Sequence, residues 1–526
     1  MKTSTFLLAL AVSLGGFLFG FDAGIISGVM EYFRPQFGLT DAQAGWVVSS
    51  PTFSATFAML VAGRLSDLIG RKPLLLVIAF LYTLSAVASA FATSYEMMYI
   101  ARMIGGVAFG AALIIAPTYI AEIATAENRG RLVSIQQLNI VLGFFAAFAC
   151  NNVLHGLTKG ESPLLTDESV WRWMLGLEAF PAAVYFFAML LVPESPRWLF
   201  TKGRAEKGQL VLARLHGQAA AERERRAIEE GIATELAMEK GAFSELFSPA
   251  LRTIVFIGLA VGILQMSTGI NAIYFYANSI FEQTGIGTDA AFTAGVLLSS
   301  TSVVFTLVAM GLIDRLGRRP LLLAGMAGIA VSLLLCAWAF SQATYQLTEA
   351  DLVQLAEIDE QKTEADSKPP LDTTRLGEVV DEVFETDLAF KNRMKELLGS
   401  DAYAKHEGAV VQAAIAMPGT IALVGIFGFI ACFAFSLGPV MWVLLSELYP
   451  NRIRGLAIGT IGFVNSATSW LVQQIFPWEL STLGNATTFL IFGLIAAGGF
   501  LLMLMTLPET KGKSLEQLEA ELITGP

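Results

Sequence analysis

The stretch GGFLFGFDAGIISG (15–28) places Asp22 in the middle of an apolar run that begins at Thr5. A carboxylate at the centre of a membrane helix costs about 2.5–3.5 kcal/mol on insertion scales. Arg102 likewise stands among apolar residues, in YIARMIGGVAFG. Two such groups are most simply satisfied by each other, so the pattern predicts a buried Asp22–Arg102 pair.

This pair could bind and release a proton. Burial favours the neutral acid whereas the nearby guanidinium favours the carboxylate, so a change in their distance or hydration would change the proton affinity of Asp22. The alternative interpretation is a static ion pair that locks two helices together and only stabilises the protein. The residues alone leave both interpretations open.

Other polar residues also interrupt apolar runs. Amide side chains both donate and accept hydrogen bonds, so within a membrane they either contact a polar ligand or join neighbouring helices. Gly438 and Pro439 loosen a later apolar run just before an aromatic residue. The candidates are Gln136 and Gln137 in SIQQLNIVLG, Gln265 and Asn271 in LQMSTGINAIYFYA, Trp442 in GPVMWV, and Asn465 in VNSATSW.

Membrane helices must position these residues. The chain has 526 residues, of which 54% are hydrophobic and 15% charged, below the roughly 25% charge typical of soluble domains. Apolar runs of about 20 residues, the length that crosses a bilayer, recur throughout and predict an all-α membrane protein with twelve spans. The predicted spans are 5–30, 44–66, 73–93, 97–121, 134–156, 171–193, 251–282, 289–313, 320–341, 411–446, 455–478 and 486–508.

Basic residues indicate the orientation of these spans. Lys and Arg cluster in alternate connections, and the positive-inside rule makes those loops and both termini cytoplasmic. Lys2 followed by FLLALAVSLGG is typical of a signal peptide, but the apolar run continues to Met30 and is too long for one. We therefore expect an uncleaved first span, in a protein of the cell (inner) membrane.

Motifs repeat between the two halves of the sequence. GRLSDLIGRKPLLL (63–76) returns as GLIDRLGRRPLLL (311–323), and AEIATAENRG (121–130) returns as SELYPNRIRG (446–455). PESPRWL (193–199) is echoed by PETKGKSL (508–515). The repeat predicts two six-helix halves, 1–196 and 251–526, with the substrate between them near the bilayer midplane.

Two polar segments separate or interrupt the halves. Residues 197–250 are charged and helix-prone and are predicted to link the halves on the cytoplasmic side. Residues 342–408 fall on the outer side and contain 16 Asp and Glu against 7 Lys and Arg. Their apolar spacing predicts short amphipathic helices. A solvated acidic cap is the simpler interpretation, and a lid that binds a partner or an ion is the alternative.

Matched acids and bases mark the predicted cytoplasmic ends of the spans. Arg–carboxylate pairs at this boundary could clamp the inner ends of the helices while the outer side is open and release when the protein switches. The alternative is that they anchor helix ends and set topology. The residues are Asp67 and Arg71, Glu122 and Arg129, Glu194 and Arg197, Asp314 and Arg318, Glu447 and Arg454, and Glu509.

Nine motifs in order resemble the sugar porter branch of the major facilitator superfamily. They are GFDAGIISG, GRLSDLIGRK, RMIGGVAFG, PTYIAEIATAENRG, PESPRWL, TGINAIYFYA, DRLGRRP, GPVMWVLLSELYPNRIRG and PETKGKSL. The resemblance covers nearly the whole chain except 342–408. It implies the major facilitator fold, alternating access and a monosaccharide-like substrate.

The resemblance also implies roles for individual residues. Proton-coupled members carry an acid where Asp22 stands and an arginine where Arg102 stands, so the resemblance implies proton symport. It assigns the cytoplasmic acids and bases to a gate. Six residues match positions that contact the sugar: Phe19, Gln137, Gln265, Asn271, Trp442 and Asn465. Gln136 is expected to join helices.

The sequence departs from the family pattern at four pocket positions. Met266 replaces the second of two glutamines, Phe275 the first of two tyrosines, Ser302 an asparagine and Ser466 a tryptophan. Several of these changes remove hydrogen-bonding capacity or an aromatic face, and such a site discriminates strongly among hydroxyl patterns. Xylose, glucose, galactose, fructose and inositol therefore all remain candidate substrates.

Other function classes fit less well. The three histidines are scattered and no nucleotide loop or metal-ligand cluster is present, so an enzyme is not expected, nor are a metal, a cofactor or a nucleic-acid partner. A non-transporting sugar sensor usually has a long cytoplasmic tail, and here about 17 residues follow Glu509. Passive facilitation is the main alternative to proton symport, and a monomer in the lipid bilayer is expected.

Overall fold

The computed structural model describes residues 3–125, 128–159, 164–237, 243–248, 251–363, 371–449 and 451–511. Within these ranges, twelve helical segments are long and apolar enough to cross a membrane, which confirms the predicted fold class. The spans, numbered in chain order, are Thr3–Phe37, Asp41–Ile69, Arg71–Ala90, Tyr95–Ile123, Arg129–Gly156, Asp167–Leu177 with Ala179–Leu191, Arg252–Ser267 with Ile270–Phe275 and Ala277–Glu282, Thr288–Leu316, Arg318–Ser341, Gly419–Phe435 with Leu437–Leu448, Asn451–Thr482, and Gly484–Thr506.

Three of the twelve described spans, numbers 6, 7 and 10, consist of interrupted helices. Span 7 breaks at Gly269, whose φ of +85° disfavours any other residue and whose missing side chain leaves room for Phe492. Span 10 breaks at Ser436, just before Gly438 and Pro439. Span 6 breaks at Glu178. The discontinuities place backbone and polar side chains inside the bundle rather than against lipid.

Close helix packing builds the interior of each half. Spans 1 and 5 interlock through two glycines, because a Cβ on Gly20 would lie 2.0 Å from the Ile140 carbonyl oxygen and one on Gly143 would lie 2.1 Å from that of Phe17. Span 2 packs on span 4 in the first half, and span 9 packs on spans 10 and 12 in the second. Small residues at these contacts let the backbones approach as in other membrane bundles.

The two halves meet along two seams, span 2 against span 11 and span 5 against span 8. We call the outer part of these contacts the outer seam. Along spans 2 and 11 it consists of four hydrogen bonds: Gln474 Nε2 to the Ala42 carbonyl (3.1 Å), Ser49 to Gln474 (2.8 Å), Thr52 to Gln473 (3.0 Å) and Thr56 to Ser466 (2.7 Å). Toward the opposite ends of the same two spans, a Cβ on Gly63 or Gly459 would meet nothing within 4 Å. The hydrogen bonds between spans 2 and 11 thus join the halves on the outer side, the side of the insert described below, and these inner positions have space beside them.

Short helices occupy the connection between the halves. They are Pro196–Thr201, Ala205–His216, Gln218–Ala237 and the 3₁₀ turn Phe243–Phe247. Arg225 bridges Glu222 and Glu229 on one exposed helix face. Hydrogen bonds from Arg225 lower the pKa of Glu222, so this acid stays ionised as the pH falls. Residues 238–242 and 249–250 of this connection lie outside the described ranges.

The segment between spans 9 and 10 folds into a small unit that we call the outer insert (344–416). Its two ends pair as antiparallel strands, Thr344–Tyr345 with Ile415–Ala416. Its helices are Glu349–Thr363, Thr373–Leu376, Asp387–Leu398 and Ser400–Ala414, with a 3₁₀ turn at Gly377–Val379. Buried residues including Tyr345, Phe390 and Tyr403 give it a core of its own. Burial raises the pKa of the Tyr403 phenol well above its ordinary value.

The insert extends further than the sequence predicted. Its last helix continues to Ala414, and span 10 begins at Gly419 rather than at 411. The stretch VQAAIA (411–416) is predicted as part of span 10 because its composition does not distinguish an amphipathic helix from the start of a span. Pro418 provides the boundary that composition alone missed.

Candidate functional site: a buried ion pair and an amide network

Spans 1 and 4 bring Asp22 and Arg102 into direct contact. Arg102 Nη1 donates to Asp22 Oδ1 at 3.1 Å and Nη2 lies 3.5 Å from Oδ2, while Arg102 Nε donates to the Val47 carbonyl oxygen at 3.0 Å. The two residues are 7% and 2% exposed. The guanidinium therefore joins spans 1, 2 and 4, and its contact with the carboxylate has the fork geometry of a strong charge-assisted pair.

A third ionisable group in this region was missed by the sequence reasoning. Glu178 sits at the break in span 6, is buried, and interacts electrostatically with both Asp22 and Arg102. One arginine thus faces two acids in the interior of the N-terminal half. The signal that identified Asp22, an acid within an apolar run, also applies to LGLEAFPAAV (175–184) and could have found it.

Amides of spans 7 and 11 form the polar centre of the C-terminal half. Asn465 Nδ2 donates to Gln265 Oε1 at 2.9 Å and to the Gly262 carbonyl oxygen at 2.7 Å. Gln265 Nε2 in turn donates to the Leu437 carbonyl oxygen at 2.8 Å, at the break in span 10. Two of the predicted site residues are therefore held together, and their amide groups are oriented by backbone carbonyls.

The third amide, Asn271, is anchored one turn further along span 11. Its Nδ2 donates to Ser469 Oγ at 2.6 Å, and Gln473 Nε2 donates to the same oxygen at 2.7 Å. Gln473 also accepts the bond from Thr52 across the outer seam. Ser469 and Gln473 were missed because their role depends on the rotation of span 11, which the sequence does not specify.

The remaining predicted residues do not join this network in the described contacts. Gln137 and Phe19 are half-buried in the N-terminal half, and Phe19 packs on Phe109 with ring centroids 4.8 Å apart. Trp442 is 42% exposed. Gln136 is buried against Gly16 of span 1, and its side-chain oxygen has no hydrogen-bond partner among the described residues.

Two of the departures from the family pattern have visible partners. Ser466, in place of a tryptophan, bonds Thr56 across the outer seam. Met266, in place of a glutamine, receives a contact from Asn271 Nδ2 to its sulfur at 3.5 Å. Phe275 is buried in the core. Ser466 and Met266 are thus engaged by other residues of the protein, and Phe275 is packed in its interior.

The cytoplasmic charges form two copies of one arrangement. In the first, Arg71 binds Glu122 through two bonds of 2.9 and 3.1 Å and also pairs with Asp67 at 2.8 Å. Glu194 accepts the backbone N–H groups of Arg71 and Lys72, at the N-terminus of span 3. Carboxylates are favourable at this position because a helix N-terminus leaves N–H groups unpaired.

The second copy repeats these contacts in the C-terminal half. Arg318 binds Glu447 at 2.8 Å, and Glu509 accepts the backbone N–H groups of Arg318 and Arg319 at the start of span 9. Each of these contacts lies within one half. The duplication that the sequence motifs indicated is therefore repeated in side-chain geometry.

One of the cytoplasmic partners differs from the one that sequence adjacency suggested. Glu447 contacts Arg318, and Arg454 Nε donates to the Tyr449 carbonyl oxygen at 3.1 Å. The predicted Asp67–Arg71 pair is present, whereas Glu447–Arg454 was paired wrongly because the ends of different spans meet in space. Glu122 also contacts Arg71, from the end of span 4. The side chains of Arg129 and Asp314 lie outside the described set.

Two six-span halves with duplicated cytoplasmic contacts and a polar interior between them define a multi-pass membrane transporter of the major facilitator fold. The profile of the sugar (and other) transporter family matches residues 8–353 and 404–522. The chain is 33% identical over 514 residues to the major myo-inositol transporter IolT of Bacillus subtilis, covering 97% of this chain and 93% of the relative. It is 30% identical over 513 residues to the arabinose-proton symporter of the same organism, covering 98% and 94%.

Comparison with solved structures points to the same family. The xylose transporter XylE of E. coli, in a partially occluded inward-open conformation, superposes with a TM-score of 0.73 at 26% identity, covering 98% of this chain and all of that one. The chain therefore belongs to the sugar porter family of the major facilitator superfamily. It is a sugar transporter and not an enzyme. The family profile passes over residues 354–403, which lie within the outer insert.

Proposed function

We propose that this protein imports a monosaccharide by proton symport through alternating access. The observation that carries the proposal is the buried Asp22–Arg102 pair, which lies in the half opposite the amide network of Gln265 and Asn465. An acid paired with one arginine inside the bundle changes its proton affinity when its hydration or its distance to that arginine changes. Switching between the two sides supplies such a change.

The amide network supports a polyhydroxyl substrate. Donation to Ser469 and to the Gly262 and Gln265 oxygens uses the N–H groups of Asn271 and Asn465, so their carbonyl oxygens are the atoms that can accept bonds from sugar hydroxyls. Gln265 retains one N–H to donate. Trp442 supplies an apolar face of the kind that covers a sugar ring. Pentoses, hexoses and inositols all fit this chemistry, and relatives named for myo-inositol and arabinose are consistent with that range.

The orientation in the membrane completes the proposal. In this proposal the inner side and both termini lie in the cytoplasm, the protein spans a cell membrane, and the insert lies outside; the basic connections support this orientation. We propose that the duplicated cytoplasmic charge arrangement, including Arg129, Arg197, Asp314 and Arg454, serves as the inner gate of a monomeric carrier. In the outward-facing state its members would meet across the halves.

Substitution of Asp22 by asparagine tests the coupling. Asparagine retains the shape and a hydrogen bond to Arg102 but cannot carry the proton, so Asp22→Asn should lose uphill uptake in proteoliposomes while sugar exchange continues. Uptake with and without an inward proton gradient, over a panel of pentoses, hexoses and inositols, would be measured. Accumulation against a gradient by the variant would show that Asp22 is not the coupling site.

A matched control comes from another acid in an ion pair. Asp41 binds Arg34 at 2.6 Å at the outer end of span 2, far from the interior pair. Asp41→Asn makes the same chemical change and should leave gradient-driven uptake intact. If wild-type uptake itself proved indifferent to the proton gradient, the protein would be a passive facilitator, the main alternative.

A further inference from the structure

A cavity of about 460 Å³ opens between the linker, the helical connection of the two halves, and the ends of spans 2 and 3. On the membrane side, Ile69 is the last residue of span 2 and Pro73 lies in the first turn of span 3. On the other side are the linker helices Pro196–Thr201 and Ala205–His216. Because spans end where the hydrocarbon gives way to headgroups, the cavity lies at the level of the lipid headgroups.

Much of the cavity wall is apolar. Ile69, Leu199 and Val211 line it, together with the ring of Trp198. Leu210, also on the wall, leaves 70% of its side chain exposed although it belongs to a helix outside the spans. An apolar side chain in this position is covered when the helix lies against the membrane surface and acyl chains reach it. The wall therefore suits a ligand with an apolar part.

Two cations line the same cavity. Arg204 and Lys207 are both exposed on the linker, and neither forms an ion pair within the described part of the chain. The Arg204 guanidinium lies over the ring of Trp198, 5.7 Å from its centroid, and the ammonium of Lys202 lies 5.9 Å from the same centroid. Positive charge is thus held beside the apolar wall, where it can meet an anion.

The carboxylate on the cavity wall does not neutralise these cations. Glu194 Oε1 accepts the backbone N–H groups of Arg71 at 3.0 Å, Lys72 at 3.2 Å and Ser195 at 2.8 Å. Its charge is therefore offset by the N-terminus of span 3. Glu206 is exposed beside Lys207 in the sequence and is not part of the cavity wall. The cavity offers two cations to an incoming ligand.

We propose that this cavity binds an anionic phospholipid, with the phosphate between Arg204 and Lys207 and an acyl chain along Ile69 and Leu210. Basic pockets at the cytoplasmic ends of spans suit anionic headgroups, and the orientation proposed above places the cavity on that side. A soluble phosphate ester offers the same phosphate chemistry but would leave the apolar wall uncovered. The bound lipid would fasten the linker to the N-terminal half, where Trp198 Nε1 already donates to the Asp67 carbonyl oxygen at 3.0 Å.

Native mass spectrometry of the delipidated full-length protein in detergent can count bound lipids. The protein would be titrated with phosphatidylglycerol, which is anionic, or with phosphatidylcholine, whose phosphate is offset by a positive charge. Each basic residue near an anionic lipid strengthens binding by about fivefold, so two should give a preference of roughly twentyfold for the first phosphatidylglycerol. Lys207→Gln should reduce the preference about fivefold, and Arg204→Gln with Lys207→Gln should abolish it. No sugar or proton gradient is used, so the result is independent of the proposed symport.

A matched control removes the same charge elsewhere on the linker. Arg223 and Arg226 are exposed on helix Gln218–Ala237, outside the cavity wall, so Arg223→Gln with Arg226→Gln should retain the preference. Leu210→Asn tests the apolar part and should weaken binding of both lipids. Glycerol phosphate, which has the phosphate without acyl chains, should not displace phosphatidylglycerol at equal concentration.

Three results would overturn the proposal. A preference that persists in Arg204→Gln with Lys207→Gln would show that the lipid binds elsewhere. An equal loss in the control pair would show a general effect of surface charge. Displacement by glycerol phosphate, or unchanged binding in Leu210→Asn, would show that the cavity takes a soluble phosphate ester and not a lipid.

Discussion

Gln265 uses both ends of its amide to position the proposed sugar site. It accepts from Asn465 and donates to Leu437 at the break in span 10, so it fixes the orientation of a second amide and of a backbone turn together. A side chain that cannot hydrogen-bond would leave buried partners unsatisfied, at about 1–3 kcal/mol each. The geometry of the proposed sugar site therefore depends on Gln265, whose exposed fraction is only 2%.

Gln265→Leu should therefore raise the KM for sugar by roughly tenfold or more, because oriented amides discriminate through the bonds they would leave unmade. Equilibrium sugar binding and initial uptake rates would be measured together. Gln136→Leu is the control, since Gln136 is also a buried amide but packs against span 1. An unchanged KM in Gln265→Leu would show that Gln265 does not contribute to the sugar site.

Ionisable residues were the most predictable part of the site. Asp22 and Arg102 stand out in sequence because the membrane penalises each, and they meet in the structure. Amide partners were predictable in type but not in pairing: Ser469 could not be found without the rotation of span 11. The contact of Glu122 with Arg71 was missed for a related reason, because the two residues are far apart in the sequence and close in space.

At the scale of elements, tight junctions position the cytoplasmic charges. Gly70 joins spans 2 and 3 with a φ of +106°, and a Cβ there would lie 2.3 Å from Glu194 Oε2. Gly317 repeats this geometry at the junction of spans 8 and 9, with a φ of +94° beside Glu509. The carboxylate can reach the N-terminus of the following span only because the junction residue has no side chain.

Gly70→Ala should destabilise the protein by about 1–3 kcal/mol, the cost of a strained backbone conformation, and should displace Glu194. The control is Gly63→Ala, which lies inside the helix of span 2 with open space beside it and should be neutral or slightly stabilising. Thermal unfolding of the purified transporter would compare the two variants. Equal unfolding midpoints would contradict the proposed role of the junction.

The elements themselves could largely be read from the sequence. Span number follows from apolar length, since a bilayer fixes how many residues cross it. The boundary of span 10 could not be read in this way, because the last insert helix Ser400–Ala414 is itself rich in alanine and valine. The left-handed residue in span 7 was predictable as a break at Gly269, but the second interruption at Tyr276 has no comparable signal.

At the scale of the whole molecule, the outer insert connects to both halves in the closed form. Lys391 is buried and reaches Gln283 beyond span 7 at 3.2 Å and Glu407 at 3.5 Å, and Asp387 accepts the Asn485 N–H of span 12 at 2.9 Å. Helix Ser400–Ala414 also packs on span 1 of the other half. The insert is attached to the C-terminal half, so its contact with span 1 must form and break as the outer side closes and opens.

Removal of the insert should therefore shift the equilibrium toward the outward-open form. Tyr345 and Ile415 are paired residues of the two-stranded base, so residues 346–414 can be replaced by Asn-Gly, the preferred turn for a two-residue hairpin. Spin labels on cysteines that replace Thr93 and Thr482, which are exposed at the outer ends of spans 3 and 11, would show a lower closed-to-open ratio than in the full protein. Sugar binding should be retained, because no insert residue contributes to the amide network described above.

Two point variants test whether the contact of the insert with the rest of the protein, and not only its presence, affects the closed-to-open ratio. Lys391→Met removes the buried ammonium that joins the insert to Gln283 and should shift the ratio in the same direction by a smaller amount. Arg393→Gln breaks only an exposed pair with Glu396 within the insert, at 3.4 Å, and should leave the ratio unchanged. A ratio unaltered by removal of the insert would show that the outer seam alone holds the carrier closed.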